Sequence, residues 1–389
     1  MLTSSSRLPR AAPRNLPLTT FVVLAACAAW VRAGQPDQIA VEKDIVYGKG
    51  GDVELHLDLA RPPTGDGPFP LVVCIHGGGW RGGNKVGYHG RLREFAKRGY
   101  VAAAVQYRFC PQHKFPAQIE DVKCAVRFLR AHAKEYKIDP TKVAAMGDSA
   151  GGHLSLLLGL MDPADGLEGN GGCADQSSKV QAVVNYFGPT DFTMPVAANV
   201  IGTALVADFL GTVDQKAPVV ARASPITYVS AGDPPILTFQ GTADPLVPMV
   251  HAKSLHEALK KAGVPEHLET IEGGGHGFAG PAYTRTVNLT YEFLDEHLKG
   301  KAPVKSAVEK TADKPKEASP KVEAASARQQ DLNGIQDRLR AKVMNHLLAN
   351  PNDFKGAIEA VEKDKEYQDN KNDLPQVKAL LDQWRKAAK

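Results

Sequence analysis

From about residue 40 to residue 298 the chain alternates short apolar runs with longer mixed stretches, the pattern of strands and helices taken in turn around a mostly parallel sheet. The apolar runs predict strands over Val53 to Leu59, Leu71 to His76, Tyr100 to Tyr107, Val143 to Gly147, Val180 to Phe187, Pro235 to Gln240 and His267 to Glu272. Between two of them, Gln118 to Ala133 spaces Ile119, Val122, Val126 and Leu129 by three, four and three. That is one stripe of a 3.6-residue helix, and it is expected to pack on the sheet. The fold class is α/β, a mostly parallel central sheet with helices on both faces.

The pattern stops at Gly300. Lys, Ala, Pro, Glu and Ser follow without large apolar residues until after Arg328, a composition that cannot bury a core. Leu332, Ile335, Leu339, Val343 and Leu347 then recur at three and four, Asn350-Pro351-Asn352 breaks the run, and Val377, Leu380, Leu381 and Trp384 form a second stripe. At the other end, Arg7, Arg10 and Arg14 precede an apolar stretch from Phe21 to Val31 and then Val31-Arg32-Ala33, the form of an export signal cleaved before Gly34. Leu24-Ala25-Ala26-Cys27 offers the alternative of a lipoprotein acylated at Cys27. The apolar run is shorter than the ~20 residues of a membrane span, so no span is expected. The expected division is residues 1–33 export signal, 34–299 α/β domain, 300–328 disordered linker and 329–389 small helical appendage. Localisation is then extracytoplasmic, secreted or periplasmic.

Composition narrows the class of partner. Hydrophobic residues at 43% and charged residues at 23% are a globular balance, and a net charge of +4 is too small to call for nucleic acid. Cys74, Cys110, Cys124 and Cys173 follow the cleavage point, and export permits disulfides. Cys74 lies inside the run Leu71-Val72-Val73-Cys74-Ile75, where it reads as a small buried side chain. No CxxC or Cys/His cluster with metal-ligand spacing occurs, so neither a metal nor another cofactor is expected.

Four loops carry the candidate chemistry. Gly147-Asp148-Ser149-Ala150-Gly151 fits GxSxG at the point where the strand Val143 to Met146 yields to the helical run His153 to Met161. A serine at the apex of such a strained turn projects its oxygen from the sheet, and small neighbours allow close backbone approach. His76-Gly77-Gly78-Gly79-Trp80 follows an earlier strand, and residues without side chains leave backbone N–H groups free to face an oxyanion. No Gly-Lys-Ser/Thr ending turns it into a phosphate loop, and His76 is expected to organise the loop by hydrogen bonding. Asp244, in Gly241 to Pro248, and His276, in Gly273 to Phe278, each follow a later strand in the chain order such a serine requires. His251, His256 and His297 lie in helical stretches, and Asp233 stands at the wrong end of its strand.

Together these runs resemble the hormone-sensitive-lipase-like esterases of the α/β-hydrolase superfamily over roughly Gln38 to Lys299. His-Gly-Gly-Gly-Trp-Arg-Gly-Gly-Asn-Lys and Gly-Asp-Ser-Ala-Gly-Gly-His also resemble bacterial acetyl and feruloyl esterases acting on plant polysaccharides. The resemblance implies Ser149 as nucleophile, His276 as base, Asp244 as its orienter and the amides of Gly78, Gly79 and Ala150 as the oxyanion hole. It implies a small-molecule or carbohydrate ester as substrate and no cofactor. The chain departs from the lipase-like branch in lacking a long N-terminal cap, with about 20 residues between Gly34 and the first predicted strand. Pro189 to Ala231 is the candidate lid, and its Phe192, Met194, Ile201 and Phe209 suit either a lid or a core. Trp80 suits packing or a flat surface for a sugar or phenolic ring. Two other readings stay open: an exported serine peptidase of prolyl-oligopeptidase type, which shares Ser-x-Gly-Gly and His-Gly-Phe, and a non-catalytic binding protein on the same scaffold. The appendage carries no chemistry of its own.

Overall fold

The computed structural model describes residues 39–194, 203–302, 339 and 354–370. Its strands are β1 Val41–Gly50, β2 Val53–Ala60, β3 Phe69–Ile75, β4 Val101–Val105, β5 Ile138–Asp148, β6 Ala182–Tyr186, β7 Ile236–Gly241 and β8 Glu266–Ile271. The helices are α1 His89–Lys97, α2 Ala117–Ala131, α3 Ala133–Tyr136, α4 Ala150–Leu160, α5 Thr203–Leu210, α6 Pro218–Arg222, α7 Met249–Ala262 and α8 Gly280–Lys299, with α9 Phe354–Glu362 and α10 Lys365–Asn370 after them.

The strands form one sheet in the order β1-β2-β4-β3-β5-β6-β7-β8. From β4 to β8 every pair is parallel, and only β1–β2 and β2–β4 are antiparallel. All seven strands expected from the apolar runs are present, six of them within two residues at either end, while β5 starts at Ile138, five residues before the expected Val143. The first strand was not anticipated: β1 reads Val-Glu-Lys-Asp-Ile-Val-Tyr-Gly-Lys-Gly, an edge strand with many exposed side chains and two register shifts against β2. It also brings the start of the sheet forward from Val53 to Val41.

Both faces of the inner parallel strands are covered, which is why those strands read as continuous apolar runs rather than as alternations, whereas the edge strand β8 is half-exposed and mixed. Leu71, Val73 and Ile75 of β3 point into one core with Ile119, Val122, Val126 and Leu129 of α2, Leu154 and Leu157 of α4, and Leu255 of α7. The expected α2 stripe therefore does face the sheet. Val72 and Cys74 point the other way, into a core with Leu92 and Phe95 of α1 and Tyr291, Leu294 and Leu298 of α8. Cys74 is fully buried, and burial pushes its thiol up to about 12, so it behaves as an inert small apolar residue. Cys74, Cys110, Cys124 and Cys173 are free thiols.

Because β3, β5, β6, β7 and β8 run the same way, the loops leaving their carboxyl ends gather along one edge, where open α/β sheets place their ligand sites. Those after β3, β5, β7 and β8 are the four singled out for their chemistry by their sequence. Helix α8 ends at Gly300, whose left-handed backbone (φ 65°) closes its last turn. Among the described residues no helix is long and apolar enough to cross a membrane. The export signal with Cys27, Ile201, the linker from residue 303 on, and the two apolar stripes of the appendage apart from the helical, buried Leu339 lie outside the described residues.

Candidate active site

Ser149 stands between the end of β5 and the start of α4 with φ 53° and ψ −118°, a backbone conformation disfavoured for any residue with a Cβ. The turn is held from both sides: Ser149 N–H donates to Tyr186 O (2.8 Å), and His153 N–H donates to Ser149 O (3.0 Å). Its sharpness depends on what is absent two residues on. A Cβ on Gly151 would lie 1.9 Å from Ile75 O, so any larger residue would drive β3 away from the elbow.

The imidazole of His276 bridges the serine and the aspartate. Its Nε2 lies 2.9 Å from Ser149 Oγ, and its Nδ1 lies 2.8 Å from Asp244 Oδ2. Asp244 has a fully buried side chain whose carboxylate is otherwise satisfied: Oδ1 accepts the N–H groups of Leu246 (2.8 Å) and Val247 (2.9 Å), and Oδ2 accepts Gln240 Nε2–H (3.2 Å). With every other donor spoken for by backbone and Gln240, the carboxylate can receive His276 only through Nδ1–H. That leaves Nε2 unprotonated and facing the serine hydroxyl, the tautomer a general base needs.

The loops bearing these two residues are latched to each other. Thr242 N–H donates to Ile271 O (3.0 Å), Ala243 N–H to Gly274 O (2.9 Å), and Gly273 N–H to Thr242 Oγ1 (2.8 Å). Phe187 packs its ring on His276 with centroids 4.6 Å apart. The relay is thus positioned by loops that share backbone hydrogen bonds rather than by free side chains.

The glycine loop lies directly over the elbow. A Cβ on Gly77 would stand 2.5 Å from Asp148 Oδ2 and 3.3 Å from Ser149 Cβ. Gly78 (φ 117°), Gly79 (φ 59°) and Trp80 (φ 56°) continue through the left-handed region. Among the described residues, the amide N–H groups of Gly78, Gly79 and Ala150 donate to no backbone acceptor. His76 braces the loop as expected: its Nδ1–H donates to Gly77 O (2.8 Å), and its ring stacks on Tyr107 at 4.5 Å.

Trp80 is buried, not a surface for a sugar. Its ring stacks on Phe209 at 4.2 Å and 13°, and meets Phe192 edge-on. Phe192 and Phe209, left between lid and core by their sequence, are both core residues. Four contributors escaped the sequence reading: Gln240, Phe187, Tyr88, whose hydroxyl donates to Asp148 Oδ1 (2.6 Å), and His153. A polar Gln closing the apolar run Ile-Leu-Thr-Phe and a lone His inside the apolar helix α4 are the signals that mark two of them. The competing histidines have other partners: His256 is paired with Glu266, Thr190 N–H donates to His251 Nδ1 (3.3 Å), and the His297 ring packs on Phe293. Asp233 accepts from Ser230.

His153 ties the glycine loop to the excursion between β6 and β7. Trp80 Nε1–H donates to its Nδ1 (3.2 Å), and its own Nε2–H donates to Ala223 O (2.7 Å). Complete burial lowers its pKa to about 4. The unfolded imidazole titrates near 6.5, so the stability of the neutral form is fully present above about pH 6.5 and is lost as the pH falls toward 4. The size is roughly 3 kcal/mol. Unfolding free energies at pH 7.5 and 4.5 are expected to differ by about 2 to 3 kcal/mol less in His153→Gln than in the parent. An equal pH dependence in both would mean His153 contributes nothing to acid lability.

A parallel sheet with a serine elbow after β5 and, at the carboxyl ends of the later strands β7 and β8, a carboxylate and a histidine defines the α/β-hydrolase class. The BD-FAE profile, that of a hormone-sensitive-lipase-like α/β-hydrolase family, matches residues 57–259. The chain belongs to this family. It is 36% identical over 233 residues to the probable carboxylic ester hydrolase LipM of Mycobacterium tuberculosis, a match covering 57% of this chain and 52% of that protein. The chain thus spans about half the length of the first relatives it matches. Among solved structures, the propionate-bound thermophilic esterase Est2 of Thermogutta terrifontis is 31% identical, with a TM-score of 0.58 over 69% of this chain and 98% of that one. A truncated carbohydrate esterase from gut microbiota is 26% identical, also with a TM-score of 0.58, over 67% and 98%.

Proposed function

We propose that this protein is a serine carboxylesterase that hydrolyses short-chain acyl esters, with acetyl or feruloyl groups on carbohydrates as the substrate class. The observation that carries the reading is the unbroken relay Asp244, His276, Ser149 at hydrogen-bond distances, with three unengaged backbone N–H groups beside it. Ser149 Oγ attacks the ester carbonyl while His276 Nε2 takes its proton, and the imidazolium is held by Asp244. The amides of Gly78, Gly79 and Ala150 receive the charge that develops on the carbonyl oxygen, each worth about 3 kcal/mol in the transition state. His276 returns the proton to the leaving alcohol. Water then attacks the acyl-enzyme by the same route, so the chain's own residues complete the cycle.

The named relatives support ester hydrolysis, and the propionate-bound relative supports a short acyl group. The carbohydrate leaning draws on the likeness to a gut-microbial carbohydrate esterase and no longer on Trp80. Each acyl methylene adds about 0.8 kcal/mol only where the pocket encloses it. For soluble p-nitrophenyl esters and emulsified long-chain forms, kcat/KM is therefore expected to peak between acetate and butyrate and to fall toward palmitate. A steady rise to palmitate would replace the short-chain reading with a lipase.

A further inference from the structure

Between β6 and β7, α5 lies on the glycine loop. There a single side chain meets the loop's backbone. A Cβ on Gly79 would lie 2.9 Å and 3.0 Å from the two Cδ atoms of Leu205, so the leucine fills the space directly over that glycine. Leu205 is only partly buried.

Helix α5 is fixed in this place by contacts on the turns that follow. Arg81 Nη2 pairs with Asp208 at 3.0 Å, directly joining the loop to the helix. Phe209 stacks on Trp80, and Phe115 N–H donates to Phe209 O at 2.8 Å. These contacts come from both the glycine loop and the segment that follows β4, so α5 is tied to the loop beside the elbow.

The sheet order decides which half of an ester meets this helix. The glycine loop follows β3 and the His276 loop follows β8, and these strands lie on opposite sides of β5, which carries Ser149. His276 must protonate the leaving alcohol, so the alcohol lies on the β8 side. At the trigonal carbonyl carbon the oxygen faces the loop amides and the alcohol faces His276, so the acyl group takes the third direction, away from His276 and alongside the glycine loop against which Leu205 packs. We infer that Leu205 is the specificity-determining residue for acyl length, closing the acyl pocket after the first few carbons. This inference rests on the esterase reading above.

The test compares parent, Leu205→Ala and Leu205→Phe on p-nitrophenyl acetate, butyrate, hexanoate and octanoate, with active serine counted by fluorophosphonate labelling. Alanine removes three carbons, and each acyl methylene newly enclosed is worth about fourfold in kcat/KM. The octanoate-to-acetate ratio is expected to rise about 10-fold or more in Leu205→Ala, and the butyrate-to-acetate ratio to fall about 10-fold in Leu205→Phe. Should the alanine variant fail to fold, the phenylalanine ratio decides alone. Acyl ratios within twofold of the parent in a labelled variant overturn the assignment. So does a change confined to a series of acetates of lengthening alcohols, which would put Leu205 on the alcohol side. A parent that labels but hydrolyses no ester removes the esterase reading itself, whereas an active parent with unmoved ratios removes only the role of Leu205.

Discussion

Replacing Ser149 by alanine is expected to lower kcat on p-nitrophenyl acetate by about 10⁴-fold or more while leaving the melting temperature within a degree or two of the parent. The hydroxyl makes one side-chain hydrogen bond, to His276 Nε2, and alanine keeps the Cβ that the turn already accommodates at φ 53°. What is lost is the attacking atom, and little packing goes with it. In the parent, a fluorophosphonate should add its mass to the peptide containing Ser149 and to no other serine peptide. A folded alanine variant with substantial turnover would falsify the nucleophile assignment.

Asp244→Asn is expected to be nearly as damaging, about 10⁴-fold in kcat with a smaller change in KM, and for a different reason. The carboxylate accepts on both oxygens: two backbone N–H groups on Oδ1, and Gln240 with His276 on Oδ2. An amide has only one oxygen. If that oxygen stays with Leu246 and Val247, the new NH₂ donates to His276 Nδ1, moves the ring proton to Nε2 and presents Ser149 with a donor instead of a base. If the amide turns over, the NH₂ confronts two backbone donors, and the loop loses the bonds that fix it. Both orientations disable the relay, so the rate should stay low across the pH range instead of recovering at high pH. Recovery to within 10-fold of the parent at alkaline pH would show that the carboxylate only orients the ring and is replaceable.

Much of this site is legible in the chain because each part occupies a strand end. The inner parallel strands are buried on both faces, so they stand out as unbroken apolar runs, and Ser149 and Asp244 are polar residues that follow two of them, while His276 follows the half-exposed edge strand β8. Strand β1 escaped notice for the converse reason: it pairs on one side only, carries Glu42, Lys43, Asp44 and Lys49, and shows neither an apolar run nor a clean alternation. Residues that act across the fold were equally hidden. Nothing local to Phe187 announces His276, which is 89 positions on, and nothing near Leu205 announces Gly79. Trp80 shows the same limit from the other side, since exposure beside a glycine loop and burial against Phe209 have the same local sequence.

The turn at Ser149 has a consequence for how the chain can be improved. A residue with a Cβ at φ 53° and ψ −118° sits above its preferred backbone energy by about 1 to 3 kcal/mol, whereas glycine reaches that region freely. A search that scored variants by heat resistance alone would therefore be drawn toward glycine at position 149, and each success by that measure would be an inert protein. Heat resistance and activity are opposed at this one backbone position. Variants of this chain must be selected with turnover in the screen from the first round.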